Sequence, residues 1–347
     1  MTAPTTDALR DAIRLLAAGQ PLGGDAVTAA FDVVMRGEGT PSQIAALLIG
    51  LRMRGESPDV VAAVVRAMRS VMIPLPVDDP DALVDTCGTG GGTVQTFNIS
   101  TAAALVAAGG GARVAKHGNR SSTTRSGSAD VLEALGIPIE RPPAELRRVL
   151  DEAGIVFMFA PAMHPAMRHV GPVRRELAIP TVMNMVGPLA NPASAGRQVV
   201  GVAELARLPL IAGALASLGS VHAMVVHGEP GLDEISPLGP TRVLEVRRGH
   251  ATPHEWTIDP ATFGFAQLRE EDLAGGTPDE NASVILEVLA GGGSPGARAA
   301  VLLNAAAALY VAGIAESYDE GLAAATRALD RGDGMRALDR LRAAYAQ

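Results

Sequence analysis

Asp85-Thr-Cys-Gly-Thr-Gly-Gly-Gly-Thr-Val-Gln-Thr-Phe-Asn-Ile-Ser100 places four glycines, at 88, 90, 91 and 92, directly after a short apolar run. Residues 83–85 read as a strand, and Ser100 and Thr101 open a helical pattern that runs to Ala108. The alternation repeats downstream. Further strands are expected at 113–115, 155–159, 198–202, 222–226 and 241–246, with helical patterns such as 129–135 and 208–218 between them. Such alternation predicts a mostly parallel sheet flanked by helices, with ligands bound beyond the carboxyl ends of the strands. Function is therefore expected in the loops after Asp85, Ala115 and Val226.

Outward from this region the pattern changes in both directions. Residues 1–75 read as helices only: Leu9, Ile13 and Leu16 recur at helical spacing, as do Ala29, Val33 and Val34. Thr40, Pro41 and Gln43 form a cap, a first-turn proline and a capping-box partner, and Ser57-Pro58 repeats the cap-then-proline signal. A Pro- and Asp-rich connector, 74–81, ends this bundle, and helices return from Asn281 onward. The expected fold class is α/β: a small N-terminal helical domain, 1–75, plus a larger domain, 76–347, with a mostly parallel central sheet flanked by helices.

Composition narrows the partners. With 29 basic and 37 acidic residues the net charge is −8, which disfavours non-specific attraction to nucleic acid or anionic membrane. The single cysteine, Cys87, can form no intrachain disulfide, and the first 16 residues lack a signal-peptide pattern, so a cytoplasmic protein is expected. Residues 299–315 are almost wholly apolar but short, and they contain Asn304 and Gly313; a buried helix is expected rather than a membrane span.

Glycines clustered at a strand end let backbone N–H groups converge on an anion, and a helix N-terminus behind them adds partial positive charge. The alternative is a flexible turn. A dinucleotide fingerprint would need glycine where Thr93 stands and an acidic residue further on, and a Walker loop would need Gly-Lys-Ser/Thr; both are absent. Cys87 lacks the loop arginine of a phosphatase nucleophile and reads as a small buried side chain. After the next strand, Lys116-His117-Gly118-Asn119-Arg120 and the hydroxyl-rich 121–128, with Arg125, suit several phosphate groups. In the turn 228–236, Asp233 and Glu234 repel each other unless a cation compensates, and hard oxygen ligands suit magnesium shared with phosphates; a solvated acidic turn is the alternative. Residues 160–167 lead to Arg174, read as lying at a helix start, where it is either an ordinary surface arginine or a clamp for a carboxylate.

Together these motifs resemble the anthranilate phosphoribosyltransferase family of tryptophan synthesis: Gly-Thr-Gly-Gly at 88–91, Asn-Ile-Ser-Thr at 98–101, Lys-His-Gly-Asn-Arg at 116–120, Ser-Gly-Ser-Ala-Asp at 126–130, His-Pro-Ala-Met at 164–167, Val-Arg-Arg-Glu-Leu at 173–177, Gly-Pro-Leu-Ala-Asn-Pro at 187–192 and Gly-Leu-Asp-Glu-Ile-Ser at 231–236. The resemblance implies transfer of phosphoribose from 5-phosphoribosyl diphosphate to anthranilate, giving N-(5-phosphoribosyl)anthranilate and pyrophosphate. It implies a donor site along Gly88, Gly91, Gly92, Thr96, Asn98, Ile99, Ser100 and Thr101, continued by Lys116, His117, Gly118, Asn119, Arg120, Ser121, Ser122, Thr123, Thr124 and Ser128. Ser100, Asp233 and Glu234 would hold two magnesium ions, and Gly88, Asn119, His164, Arg174 and Pro188 would meet anthranilate, with His117 along its path. A homodimer through the helical domain, joined in each chain by a segment near 165–190, completes what the family implies. Gly92 stands where the family commonly carries aspartate, Thr123-Thr124-Arg125 replaces Ser-Ser-Lys, and Pro180 replaces a frequent arginine. The rivals are a pyrimidine nucleoside phosphorylase-like enzyme, which needs no Asp233-Glu234, and a non-catalytic polyphosphate-binding regulator, for which Gly92 is the best support.

Overall fold

The computed structural model describes residues 7–121 and 125–346. Its seven-stranded sheet has the order β3-β2-β1-β4-β5-β6-β7, with β1 Leu83–Gly88, β2 Arg113–Gly118, β3 Ile155–Phe159, β4 Arg197–Gly201, β5 His222–Gly228, β6 Thr241–Arg247 and β7 His254–Ile258. The pairs β3-β2, β2-β1, β1-β4 and β4-β5 are parallel, whereas β6 and β7 add on antiparallel. All six expected strands are present. β7 was not expected, because this edge strand has only Ile258 buried and so shows no clean alternation.

β1 and β2 each run three residues beyond the expected end, to Gly88 and Gly118, so Lys116 and His117 belong to a strand and not to a loop. The pleat then decides where they point: successive side chains leave a strand on opposite faces. The Lys116 ammonium reaches Ser100, while the His117 ring packs beside His164.

Each face of the sheet has its own core. On one, Val84, Val114, Val199 and Met224 pack with helices Ile99–Gly109, Pro295–Val311 and Asp333–Ala346. On the other, Val200, Val202, Ala223 and Val225 join the helices Leu208–Ser217, Met167–Leu177 and Met183–Val186. Val199 and Val200, adjacent in sequence, serve different cores. The second core continues without a break into the bundle Asp7–Ala17, Gly24–Met35, Pro41–Arg54 and Pro58–Arg69, where Phe31, Leu47 and Val64 are fully buried. Full burial of each such side chain stabilises by about 1.5–3 kcal/mol. Thr40 and Gln43 form the reciprocal capping box, at 3.3 and 3.0 Å, and Ser57 caps Val60 at 3.3 Å.

The helix after the glycine turn starts at Ile99, with Asn98 as its N-cap, and not at Ser100 and Thr101. Ser100 therefore sits in the first turn, where its N–H has no intrahelical acceptor.

The apolar stretch at 299–315 lies within and just beyond the buried helix Pro295–Val311; no helix among the described residues is long and apolar enough to cross a membrane. Its one polar interior residue has a defined task. Asn304 accepts the Ile235 N–H at 2.9 Å and donates to the Ile235 carbonyl at 2.9 Å, which anchors the acidic turn from behind. Asn304→Leu leaves both groups buried and unpaired, at about 1–3 kcal/mol each. Urea unfolding is expected to show a loss of about 2 kcal/mol or more; an unchanged midpoint would show that Ile235 finds other partners.

Candidate active site

Three adjacent strands, β1, β4 and β5, end in Gly88, Gly201 and Gly228. The turn from Glu229 to Ser236 folds back across these ends so closely that side chains there would collide with it. A Cβ at Gly201 would overlap the Asp233 carbonyl, one at Gly88 the Asp233 carboxylate, and one at Gly228 the Glu234 carbonyl. The glycine-rich turn holds the acidic one from the other side. Gly90 N–H donates to Asp233 Oδ2 at 2.7 Å, Thr93 N–H to the Gly231 carbonyl at 3.0 Å, and Thr93 Oγ1 to the Pro230 carbonyl at 2.9 Å.

Glu234 Oε1 accepts the Ser100 N–H at 3.2 Å, and Lys116 Nζ lies 3.2 Å from Ser100 Oγ and 2.5 Å from the Thr86 carbonyl. Burial, and then the neighbouring Asp233, push the Glu234 carboxyl up to about 8. Burial also raises Asp233 and lowers Lys116. Two desolvated carboxylates side by side hold a proton at neutral pH unless a cation takes its place. These oxygens fit magnesium. No group of three or more His, Cys, Asp or Glu able to hold a metal occurs among the described residues, so phosphate oxygens or water must complete the coordination.

The cavity in front of these groups has a volume of ≈ 330 Å³. Gly88, Gly91, Gly92, Thr96, Asn98, Ser100, Lys116, His117, Gly118, Asn119, Arg120, Ser121, Ser128, Asp233 and Glu234 all line it. Ile99 and Thr101 do not. Their side chains are buried in the helix's packing face, and their N–H groups donate to the carbonyls of Phe97 and Asn98. Arg120, expected as a phosphate cation, pairs with Asp130 at 2.8 Å and Glu133 at 2.6 Å and lies over the Phe159 ring. Ser122, Thr123 and Thr124 lie outside the described residues.

A second cavity, of ≈ 450 Å³, opens beside the first and shares His117 and Asn119 with it. Met68, Met167, Met183, Pro161 and Val186 give it an apolar wall, and Arg174 and His164 supply polar atoms. Burial lowers the Arg174 guanidinium, and no carboxylate pairs with it among the described residues. Arg174 lies in the last turn of helix Met167–Leu177 and not at a helix start, because the chain already winds at Met167, Arg168 and His169 before reaching Pro172. Burial, with help from His164, pushes His117 down to about 3, and burial pushes His164 down to about 4, so both rings are neutral near pH 7. Gly88 and Pro188 do not line this cavity; Gly88 faces the first, and the Pro188 carbonyl accepts from Gln198 at 2.8 Å. Sequence reasoning missed Met68 and Met183, whose helical spacing signals only core, and it missed Gly187.

Residues 10–72 match the family model described as the helical bundle domain of the glycosyl transferase family, and residues 80–335 match its a/b domain. The anthranilate phosphoribosyltransferase of Thermomicrobium roseum is 49% identical over 331 residues, 95% of each chain. The crystal structure of anthranilate phosphoribosyltransferase from Thermus thermophilus superposes with a TM-score of 0.91 at 42% identity, over 97% of this chain and 100% of that one. This chain belongs to the anthranilate phosphoribosyltransferase family. A structure of the Saccharomyces cerevisiae member in complex with PRPP and Mg is 26% identical, with a TM-score of 0.89 over 99% of both chains.

Within this family site Gly92 stands out. A Cβ there would lie 3.0 Å from the Gly231 carbonyl and 3.4 Å from Asp233 Oδ1, so an aspartate at this position would crowd the acidic pair with a third carboxylate. The seating of the acidic turn is directly testable. Gly201→Ala is expected to retain a cooperative thermal transition while magnesium-supported transferase turnover falls about 100-fold, the scale of a 1 Å misplacement. Wild-type turnover would show that the turn does not depend on that contact.

Proposed function

We propose that this chain transfers the phosphoribosyl group of 5-phosphoribosyl diphosphate to the amine of anthranilate, releasing pyrophosphate, as a step of tryptophan synthesis. Two contiguous cavities of opposite character carry the proposal: one is polar, with glycine N–H groups, Lys116 and the acidic pair, and the other is apolar with Arg174, which has no carboxylate partner among the described residues. The donor diphosphate fits the first. Asp233, Glu234 and Ser100 would hold magnesium there, two ions per protomer, and magnesium when bound neutralises the leaving pyrophosphate.

Lys116 directs positive potential at the phosphates, and His117 and Asn119 stand at the junction of the cavities. Positive charge develops on the ribose as pyrophosphate departs, so the reaction needs positioning more than a strong base. Both imidazoles are held neutral and are poor proton acceptors, which suits a wall for an aromatic ring. Arg174 suits the anthranilate carboxylate; pairing there ends the isolation of a partly desolvated cation. The −8 net charge and the single cysteine suit a cytoplasmic enzyme of small molecules. We also assign 1–75, with a segment near 165–190, to the helical domain and 76–347 to the α/β domain, and we propose a homodimer through the bundle, whose surface exposes Met53 at 81% and Leu15 at 37%.

With magnesium present, the purified chain is expected to release pyrophosphate from 5-phosphoribosyl diphosphate only when anthranilate is added. Arg174→Met should raise the anthranilate KM about 10- to 100-fold, the worth of a charge-assisted hydrogen bond, and leave donor affinity in place. Equal turnover with uracil, or with no acceptor, would refute the assignment.

A further inference from the structure

Asp85 and Asn191 line neither cavity, yet both are fully buried and bonded to each other. Asp85 Oδ2 accepts from Asn191 Nδ2 at 2.7 Å, and Asp85 Oδ1 accepts the backbone N–H of His117 at 3.1 Å. The same Asn191 amide donates to the Ala115 carbonyl at 2.8 Å, and its Oδ1 accepts the Ala193 N–H at 2.9 Å. One buried pair thus ties three pieces of chain together: β1, β2 at the two residues flanking Lys116, and the segment 186–193.

The ends of that tie are the walls of the two cavities. His117 belongs to both cavities, and Gly187, in the segment that Asn191 ties down, lines the second beside it. Desolvation makes this carboxylate expensive: despite Lys116, Asn191 and the His117 N–H, burial pushes Asp85 up to about 6. A well-packed apolar pair is often as stable as a buried ionic one or more so, which leaves stability a poor reason for keeping a charge here. Directionality is a better one, since a carboxylate with two donors on two segments fixes their relative orientation.

We infer that Asp85 and Asn191 are positioning residues that hold the acceptor cavity in register with the donor cavity across β2. This rests on the assignment of the two cavities made above. Gln198 holds the Pro188 carbonyl, and Arg69 holds the Leu189 carbonyl at 2.6 Å, so loss of Asn191 loosens the segment from β2 without freeing it.

The test compares Asn191→Ala with the exchange Asp85→Asn/Asn191→Asp, which keeps one negative charge and allows the residue-85 amide to donate to the residue-191 carboxylate. Steady-state kinetics give the anthranilate KM and kcat, and calorimetry with magnesium gives the dissociation constant of 5-phosphoribosyl diphosphate. In Asn191→Ala the anthranilate KM is expected to rise about tenfold or more, the equivalent of about one lost hydrogen bond, while donor affinity stays within about threefold. The exchange should recover part of that loss. Donor and acceptor affinity falling together, neither changing, or an exchange no better than Asn191→Ala would overturn the inference. If Asn191→Ala does not fold, the exchange decides by itself: an anthranilate KM raised less than about tenfold, with donor affinity within about threefold of wild type, supports the inference, and a larger rise, or failure to fold, overturns it. A wild-type chain without anthranilate-dependent turnover would instead remove the functional assignment beneath it.

Discussion

Everything at the ligand end of this sheet depends on backbone lying against backbone. β1, β4 and β5 end in residues without side chains, and the turn carrying Asp233 and Glu234 occupies the space those side chains would fill. From that seating the rest follows. Asp233 comes within reach of the Gly90 N–H, Glu234 within reach of the Ser100 N–H, and two carboxylates come to face the glycine turn at close range. The cost is electrostatic. Desolvation raises both acids, and the nearest cation, Lys116, is itself lowered by burial. A divalent ion resolves that conflict, and phosphate oxygens or water suit its remaining coordination positions.

The two-residue period of β2 distributes the second half of the chemistry. Lys116 and His117 are neighbours in sequence but leave opposite faces of the sheet. One lines the polar cavity; the other reaches the apolar one. A single strand end therefore sets the distance between the buried ammonium in the polar cavity and the neutral imidazole that lines the apolar one. Arg174 reaches this second cavity from a helix of the other core, which is continuous with the N-terminal bundle. Packing of the bundle against the sheet is thus part of the site's geometry, and Met68, on the bundle's fourth helix, lines the cavity directly.

Much of this was legible before any coordinates. Gly88 to Gly92 after a strand and the basic run at 116–120 depart from what a bland surface loop contains, the pair Asp233-Glu234 reads as more than a solvated turn only beside them, and the parallel sheet brings their strand ends to one edge. The strands were visible because their apolar runs are short and bounded, whereas β7 escaped because its sequence, His-Glu-Trp-Thr-Ile, buries one residue. Ile99 and Thr101 looked like donor ligands because they stand inside a motif, but the phase of the helix turns them into the core. Arg120 carried the right charge, and only the fold reveals that Asp130 and Glu133 lie within its reach. Asn191 and Met68 gave no local signal. Asn191 acts through a bond to a residue 106 positions away, and Met68 through a cavity it lines together with His117 and Arg174; no periodicity encodes either.

The seating of the acidic turn against the 88–92 turn makes one joint site for metal and diphosphate the expectation to test. The most direct measurement is a crystal structure of the chain with 5-phosphoribosyl diphosphate and manganese in place of magnesium, with the metal located by its anomalous scattering. The metal is expected to bond at about 2.1 Å both to a carboxylate oxygen of Asp233 or Glu234 and to an oxygen of the diphosphate. A metal carried by the diphosphate with neither carboxylate in its coordination sphere, or a diphosphate bound away from the 88–92 turn, would contradict it.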